Sequence, residues 1–300
     1  MIRTVITKII QMYMRRNPTL KNRYRTRDSL RKLCVDREML VTTKHGFNMA
    51  VSPNNYASYG IYFFGEYDTL MTAFMQKFIN TGGVCWDIVT DRGWFTLVMA
   101  EMVGPSGRVD SFEAYPPNYE KLVNNVTINA FSHVNARNLA VSDRNCTLYF
   151  VPPSDDITHH VDFLENCSGV GFVTAVEQAG TFPVEAIALD NYVKKYPLVR
   201  LDLIKIDIEG EELKALHGAK HTLRQFKPII VIEYNRETSL RAGYNIEELD
   251  CFLDDLGYDR YNLICDSDMS LRLVILDNLN DIPDVHNVYC FPKDGMRAIA

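Results

Sequence analysis

A chain of 300 residues that is 47% hydrophobic and 23% charged is able to bury a full core, which excludes disorder as its overall character. The net charge of −6 conceals a split: residues 1–34 hold ten Lys or Arg against Asp28 alone, a local +9, and the rest carries −15. Cys34, Cys85, Cys146, Cys167, Cys251, Cys265 and Cys290 form no Cys-x-x-Cys pair, and Cys85 lies in an apolar run. That pattern points to buried thiols in a reducing, cytoplasmic compartment and away from a disulfide frame or zinc site.

The first fourteen residues place Ile2, Val5, Ile6, Ile9, Ile10 and Tyr13 on one helical face, and Lys8 interrupts any signal-type apolar run. No segment approaches the roughly 20 apolar residues of a membrane span. The helix is expected to pack on the body or on a second subunit. Peripheral attachment of residues 1–34 to an anionic membrane surface is the alternative that a basic amphipathic helix permits, with nucleic acid the least favoured partner. Residues 1–80 thus form a basic N-terminal helix with a small β/α extension, and 81–300 form the main domain.

Within the extension, Met39 to Thr43 and Phe47 to Val51 read as short strands, followed by the apolar Ile61 to Tyr67 and a helix over 68–79. From Gly83 the signals alternate: strand 84–88, helix 94–102, strand 108–113, helix 117–129, strand 134–141. This alternation predicts an α/β fold whose mostly parallel sheet is covered by helices on both faces. Residues 152–182, with Pro152-Pro153, Asp155-Asp156 and His159-His160, break the rhythm and read as a lid facing substrate, with His159 and His160 as substrate contacts. Strands at 184–189, 201–206 and 228–233 and helices at 210–226 and 245–256 resume it. Tyr258 to Ile264 and Asn287 to Phe291 then close the sheet as a terminal antiparallel pair. The tripeptides starting at Asn125, Asn145 and Asn166 fit the glycosylation pattern by chance.

Three strands end on acids. Val84-Cys85-Trp86-Asp87-Ile88 leads to Gly93 at a helix start, Arg108 to Phe112 ends on Glu113, and Leu203-Ile204-Lys205-Ile206 runs into Asp207-Ile208-Glu209-Gly210. Open α/β sheets hold ligands at the carboxyl ends of their strands, and an acid about 20 residues after the loop glycine is placed to accept from ribose hydroxyls. The glycine-rich pyrophosphate fingerprint is missing, which disfavours a nicotinamide cofactor. S-adenosyl-L-methionine, with ribose and adenine but no phosphate and with positive sulfonium and amino groups, suits an acidic pocket. A base-methylating Asp-Pro-Pro-Tyr-like tetrapeptide is absent after the fourth strand. His217 and His221, four apart on a helix, lack the zincin glutamate and read as surface or packing residues. A divalent metal on Asp207, Glu233 and a third ligand is compatible, but no close-spaced motif demands one and no metal ligand is assigned.

From about Ile61 to Asn235 the chain resembles the FkbM-type S-adenosylmethionine-dependent methyltransferases. The resemblance rests on Gly65-Glu66-Tyr67, Trp86-Asp87 through Gly93, Gly104 to Val109, Phe112-Glu113, Asn125 with Asn129, Ala140 to Asp143, Leu189-Asp190, Ile204 to Gly210, and Phe226-Lys227-Pro228 leading to Glu233. It implies a class I methyltransferase (Rossmann-like) fold and O-methylation of a hydroxyl on a small molecule, sugar or glycan. Carried over, Asp87, Val89 and Gly93 shape the methionine end of the cofactor site, Glu113 holds ribose, Ala140 and Val141 flank adenine, and Asp207 and Glu209 face the transferred methyl. Asp207 is the expected base, with Glu209 and Glu233 positioning the acceptor. Val89 stands where the family has glycine, and Ala114 where it often has proline. The first departure supports a rival expectation, a catalytically inactive binding or scaffold protein, because a β-branched residue resists positive φ.

Overall fold

The computed structural model describes residues 9–15, 37–52, 56–152, 171–266 and 270–293. His159, His160 and most of the expected lid lie outside these residues, as does most of the basic segment 1–34. Among the described residues no helix is long and apolar enough to cross a membrane.

In chain order the elements begin with a hairpin, β1 (Met39–Thr42) and β2 (Asn48–Val51), followed by α1 (Tyr56–Phe64) and α2 (Thr69–Phe78). Then come β3 (Val84–Ile88), α3 (Trp94–Val103), β4 (Arg108–Phe112), α4 (Pro116–Ile128), β5 (Val134–Arg137), β6 (Ala140–Val141), β7 (Cys146–Val151), β8 (Phe172–Thr174) and β9 (Phe182–Ile187). The remainder is α5 (Leu189–Lys195), β10 (Leu203–Ile206), α6 (Glu212–Gly218), α7 (Lys220–Phe226), β11 (Ile229–Asn235), α8 (Arg236–Ala242), α9 (Ile246–Asp255), β12 (Tyr258–Cys265), β13 (Leu271–Ile275) and β14 (Val285–Pro292).

The main sheet has the order β13-β12-β14-β11-β10-β3-β4-β5. Strands β11, β10, β3, β4 and β5 are parallel, and β14 enters antiparallel between β11 and β12. The expected terminal pair is therefore present, with β13 added at the edge. Strand alternation sorts the core into two layers. Cys85, Val109, Leu203 and Val231 join the layer under α1, α2, α3 and the hairpin, whereas Trp86, Ile88, Ile204, Ile206 and Ile232 join the opposite layer with α5, α6, α7 and α9.

Several boundaries differ from expectation. The single strand expected over 134–141 is two strands in two sheets, because Asn138 donates to the carbonyls of Glu113 (2.8 Å) and Ala114 (3.1 Å) and turns the chain out of the main sheet. The strand expected at 184–189 is β9, which belongs to a second sheet of order β6-β9-β7-β8 and not to the main one. Strand β8, within the expected lid, pairs with β7 there. The helix expected over 210–226 breaks at Ala219, beside Gly218, where a Cβ would stand 2.1 Å from the Ser142 carbonyl oxygen and no side chain fits.

The helical residues 9–15 also depart from a single inward apolar face. Ile10 packs on the core and Met14 is buried, Gln11 donates to the Tyr62 carbonyl (2.7 Å) and Arg15 to that of Thr42 (2.8 Å), while Ile9, Met12 and Tyr13 are exposed. Asn125 and Asn129 hold the hairpin to α4. Asn125 accepts from Ala50 N–H (2.8 Å) and Asn129 from Asn48 N–H (2.7 Å). Asn125 is wholly buried.

Candidate active site

The strand order reverses between β3 and β10: the chain leaves β3 toward β4 and β5, then returns to place β10 on the other flank. A crevice at the carboxyl ends of such a pair is where doubly wound sheets receive ligands. The expected residues Asp87, Val89, Gly93, Asp207 and Glu209 all sit at these two strand ends, Glu113 sits at the adjacent tip of β4, and Glu233 lies on β11.

After β3 the chain turns through three left-handed residues, Val89 (φ 61°), Asp91 (φ 50°) and Gly93 (φ 94°). Only glycine takes such φ values without cost. At Gly93 a side chain would also displace its neighbour, because a Cβ there would stand 2.6 Å from Leu122 Cδ1. Val89 is thus a β-branched residue in the conformation that glycine favours, held by its N–H donating to the Phe112 carbonyl (2.9 Å). Glu113 clasps the neighbouring loops: Oε2 accepts from Asp91 N–H and Oε1 from Tyr115 N–H, each at 2.9 Å. Burial pushes its pKa up to about 8, against the opposing hydrogen bond from Tyr115 and with added repulsion from Asp91.

Below the strand tips a polar row crosses the sheet. Ser111, Asp87 and Lys205 are register partners on β4, β3 and β10. Asp87 is completely buried; Oδ2 accepts from Thr96 of α3 at 2.7 Å, and that hydroxyl lies 2.9 Å from Ser111 Oγ. The other oxygen, Oδ1, has no hydrogen-bond partner. Burial lifts the Asp87 pKa to about 6, opposed by the positive charge of Lys205. Lys205 donates to Asp207 Oδ2 at 3.2 Å and to the Val89 carbonyl at 3.3 Å, and its ammonium lies 5.3 Å from the Phe95 ring centre. Sequence reasoning did not single this lysine out, although a charge in the apolar run Leu-Ile-Lys-Ile was the available signal.

Beyond Lys205, carboxylate oxygens of Asp207, Glu209 and Glu233 lie within 4.8 Å of one another. That spacing is compatible with shared protons or with one divalent cation, and it is the one such group among the described residues; His217 and His221 are exposed and form none. Asp207 keeps a third of its side chain accessible, whereas Lys205 is sealed. Glu209 is left-handed (φ 53°) and is followed by Gly210 at φ 112°. Glu212 braces this turn by accepting from the N–H groups of Ile208 at Oε1 (2.9 Å) and Gly210 at Oε2 (3.0 Å), with Tyr244 also donating to Oε2 at 2.9 Å. Arg241 secures the Glu209 carbonyl at 2.7 Å. Burial, then repulsion from Asp207, pushes Glu209 up to about 8; the same causes in the same order raise Glu233 well above its ordinary value.

Ala140 and Val141 are buried in β6, Ala140 beside Ala114, Leu148 and Phe150 and Val141 in the layer with Leu189 and Ile206, so their side chains serve packing. Next to them Tyr115 stacks on Phe150 at 5.0 Å with the rings nearly parallel, an aromatic wall that the sequence did not reveal. Asp190, another resemblance residue, caps α7 by accepting from His221 and Thr222 N–H.

Comparison with known proteins identifies the family. The family model described as Methyltransferase FkbM domain matches residues 87–260, starting at Asp87 and including every acid of the crevice. The curated protein Methyltransferase sdnD of Sordaria araneosa is 27% identical over 193 residues, covering 58% of this chain and 72% of its own length. Among solved structures, the FkbM methyltransferase of Methylobacillus flagellatus KT is similar at a TM-score of 0.43 and 14% identity, covering 73% of this chain and 50% of that one. A SAM-dependent methyltransferase from Aquifex aeolicus is similar at 0.40 and 12%, covering 74% and 88%. With more than half of the chain matched by the family model, and with its acids gathered at the switch point of a mostly parallel sheet, the chain belongs to the FkbM methyltransferase family and has the class I methyltransferase fold.

Proposed function

We propose that the protein transfers a methyl group from S-adenosylmethionine to a hydroxyl of a small molecule, sugar or glycan. The observation that carries this reading is the meeting, across one crevice, of the left-handed β3 loop with the Asp207, Glu209 and Glu233 carboxylates. The residues present fit the cofactor: the unpartnered Asp87 Oδ1 lends negative potential to the β3 side, and Glu113 stands at the β4 tip with lone pairs left for ribose hydroxyls. The cofactor supplies a methyl group already activated by a sulfonium.

The protein's share is to hold the acceptor at attack distance and to take its proton. Asp207, accessible and paired with Lys205, is the acceptor of that proton. Glu209 and Glu233, driven to keep protons by burial and by repulsion from Asp207, offer O–H donors that orient the acceptor oxygen. The rival scaffold reading loses support because the loop already adopts at Val89 the φ that glycine would provide. Calorimetric titration with S-adenosylmethionine and S-adenosylhomocysteine, followed by an acceptor screen with methyl-labelled cofactor, tests the reading. Binding in the micromolar range and label transfer to a hydroxyl are expected; absence of binding refutes it. Turnover by Asp207→Asn equal to the native enzyme would remove Asp207 as the base.

A further inference from the structure

Lys205 is the one lysine in the buried part of the described residues. A buried ammonium is strongly unfavourable unless it is paired and hydrogen-bonded, so its place in the centre of a parallel sheet calls for partners that need it. Its hydrogen-bond partners lie on opposite sides of the crevice: the Val89 carbonyl belongs to the β3 loop and the Asp207 carboxylate to the end of β10. Val89 is also the residue whose backbone is in an unfavourable region, and such conformations persist only when the surroundings over-determine them. Its N–H is fixed by Phe112 in β4, and its carbonyl is fixed by Lys205. With Asp87 beside it in register, Lys205 makes a single charged pin through three neighbouring features of the site.

We propose that Lys205 is a positioning residue for methyl transfer: its ammonium ties the Val89 carbonyl of the cofactor loop to the Asp207 carboxylate on the acceptor side, so that donor and acceptor halves of the crevice keep one relative geometry. This rests on the function proposed above. It goes beyond it by assigning the alignment of the two halves to a side chain that touches neither reactant. Arginine is no substitute, because the sealed space beneath the Phe95 ring is filled by a compact ammonium and a planar guanidinium is larger.

The test uses Lys205→Met, which keeps the length and much of the volume, and Lys205→Arg, in the full chain. Folding is checked by near-UV circular dichroism. Amide hydrogen exchange of residues 88–93 and 207–210 is then measured without ligand, together with calorimetric affinity for S-adenosylhomocysteine and the steady-state constants. The expected result for a folded Lys205→Met is at least tenfold faster exchange in both segments. Its affinity for S-adenosylhomocysteine should be 10- to 100-fold weaker, and kcat should fall by a larger factor than KM for the acceptor changes. In an Asp207→Asn background the further loss of kcat should shrink, since the amide still accepts a hydrogen bond but the charge that holds the ammonium is gone. Lys205→Arg should fail to restore either quantity.

A folded Lys205→Met with native exchange, or with native affinity and turnover, overturns the proposal while leaving the methyltransferase reading intact. A native chain that binds no S-adenosylhomocysteine overturns the methyltransferase reading itself, and the role of Lys205 with it. If both Lys205 variants fail to fold, Val89→Pro, which deletes the N–H tie to Phe112 and cannot adopt positive φ, must reproduce the loss of affinity in a folded protein; native affinity there overturns the proposal.

Discussion

Val89→Gly is the most informative single change. Val89 adopts φ 61°, where an L-residue costs about 1–2 kcal/mol and a β-branched one lies at the upper end. Glycine removes that cost, but it returns about 0.5–1 kcal/mol through the greater freedom of the unfolded chain. It also forfeits the packing of a partly buried valine against the layer containing Ile206 and Leu189, about 1 kcal/mol. The contributions cancel to within about 1 kcal/mol, so the melting temperature should move by no more than roughly 2–3 °C. Because the backbone is already in the glycine-like region, the native chain should bind S-adenosylhomocysteine within about tenfold of the variant, roughly 1.4 kcal/mol. Parallel calorimetric titrations and thermal melts decide the matter. If the native chain binds nothing and Val89→Gly binds in the micromolar range, the reasoning is wrong: the isopropyl group itself blocks the site, and the scaffold reading gains. Stabilisation well above 2 kcal/mol would show that the loop stores more strain than its dihedral angle implies.

Other substitutions probe the surroundings. Glu209 releases its proton near pH 8 when folded but near 4.5 when unfolded, so the native state binds more protons between these values and stability must fall as pH rises through that window. Glu209→Gln should remove part of this fall, a difference of roughly 2–5 kcal/mol between pH 5 and 8 by urea unfolding; parallel pH profiles would refute it. Gly93→Ala places a Cβ 2.6 Å from Leu122 Cδ1 at φ 94°, and a loss of about 2–4 kcal/mol in chemical denaturation is expected, with native stability as the contrary result. Asn125→Ala strips the Ala50 N–H of its acceptor and the Arg92 carbonyl of its donor. The expected cost is about 2–4 kcal/mol, seen as a melting point lowered by roughly 3–8 °C, and a shift below 1 °C would contradict the bracing role.

Much of the framework was legible because the central strands announce themselves. Val84–Ile88, Arg108–Phe112 and Leu203–Ile206 are short runs bounded by turns and ending in acids, and the alternation with helices ordered them. The second sheet was not legible, since the departure at Asn138 depends on two carbonyls, those of Glu113 and Ala114, that only the fold brings within reach. Helix α1 hid for another reason: Tyr59, Ile61, Tyr62, Phe63 and Phe64 are all buried, so no polar face marks a helical period. In the site, the acids were visible as strand ends. Lys205 was not, because its meaning comes from Asp87 on β3 and Asp207 two residues on, a relation fixed by strand neighbours and not by spacing. The use of Glu113 and Glu212 to hold backbone amides was equally invisible, as a carboxylate that braces a loop and one that binds a ligand have the same sequence signature.

The place of β14 has a consequence for the order in which the chain can be completed during synthesis. Residues 285–292 are the last described strand, yet they lie inside the sheet, between β11 and β12. Until they emerge from the ribosome, the hydrogen-bonding edge of Ile229–Asn235 has no neighbour on that side, and β12 has no link to the parallel strands. Such an edge is a template for pairing with other chains. The nascent protein therefore passes through a stage in which the crevice acids are already synthesised but the strand carrying Glu233 is unsupported on one side. A ribosome stalled before residue 285 would leave an adhesive intermediate, so the insertion of β14, not the early βαβ units, sets when this sheet becomes safe from edge-to-edge aggregation.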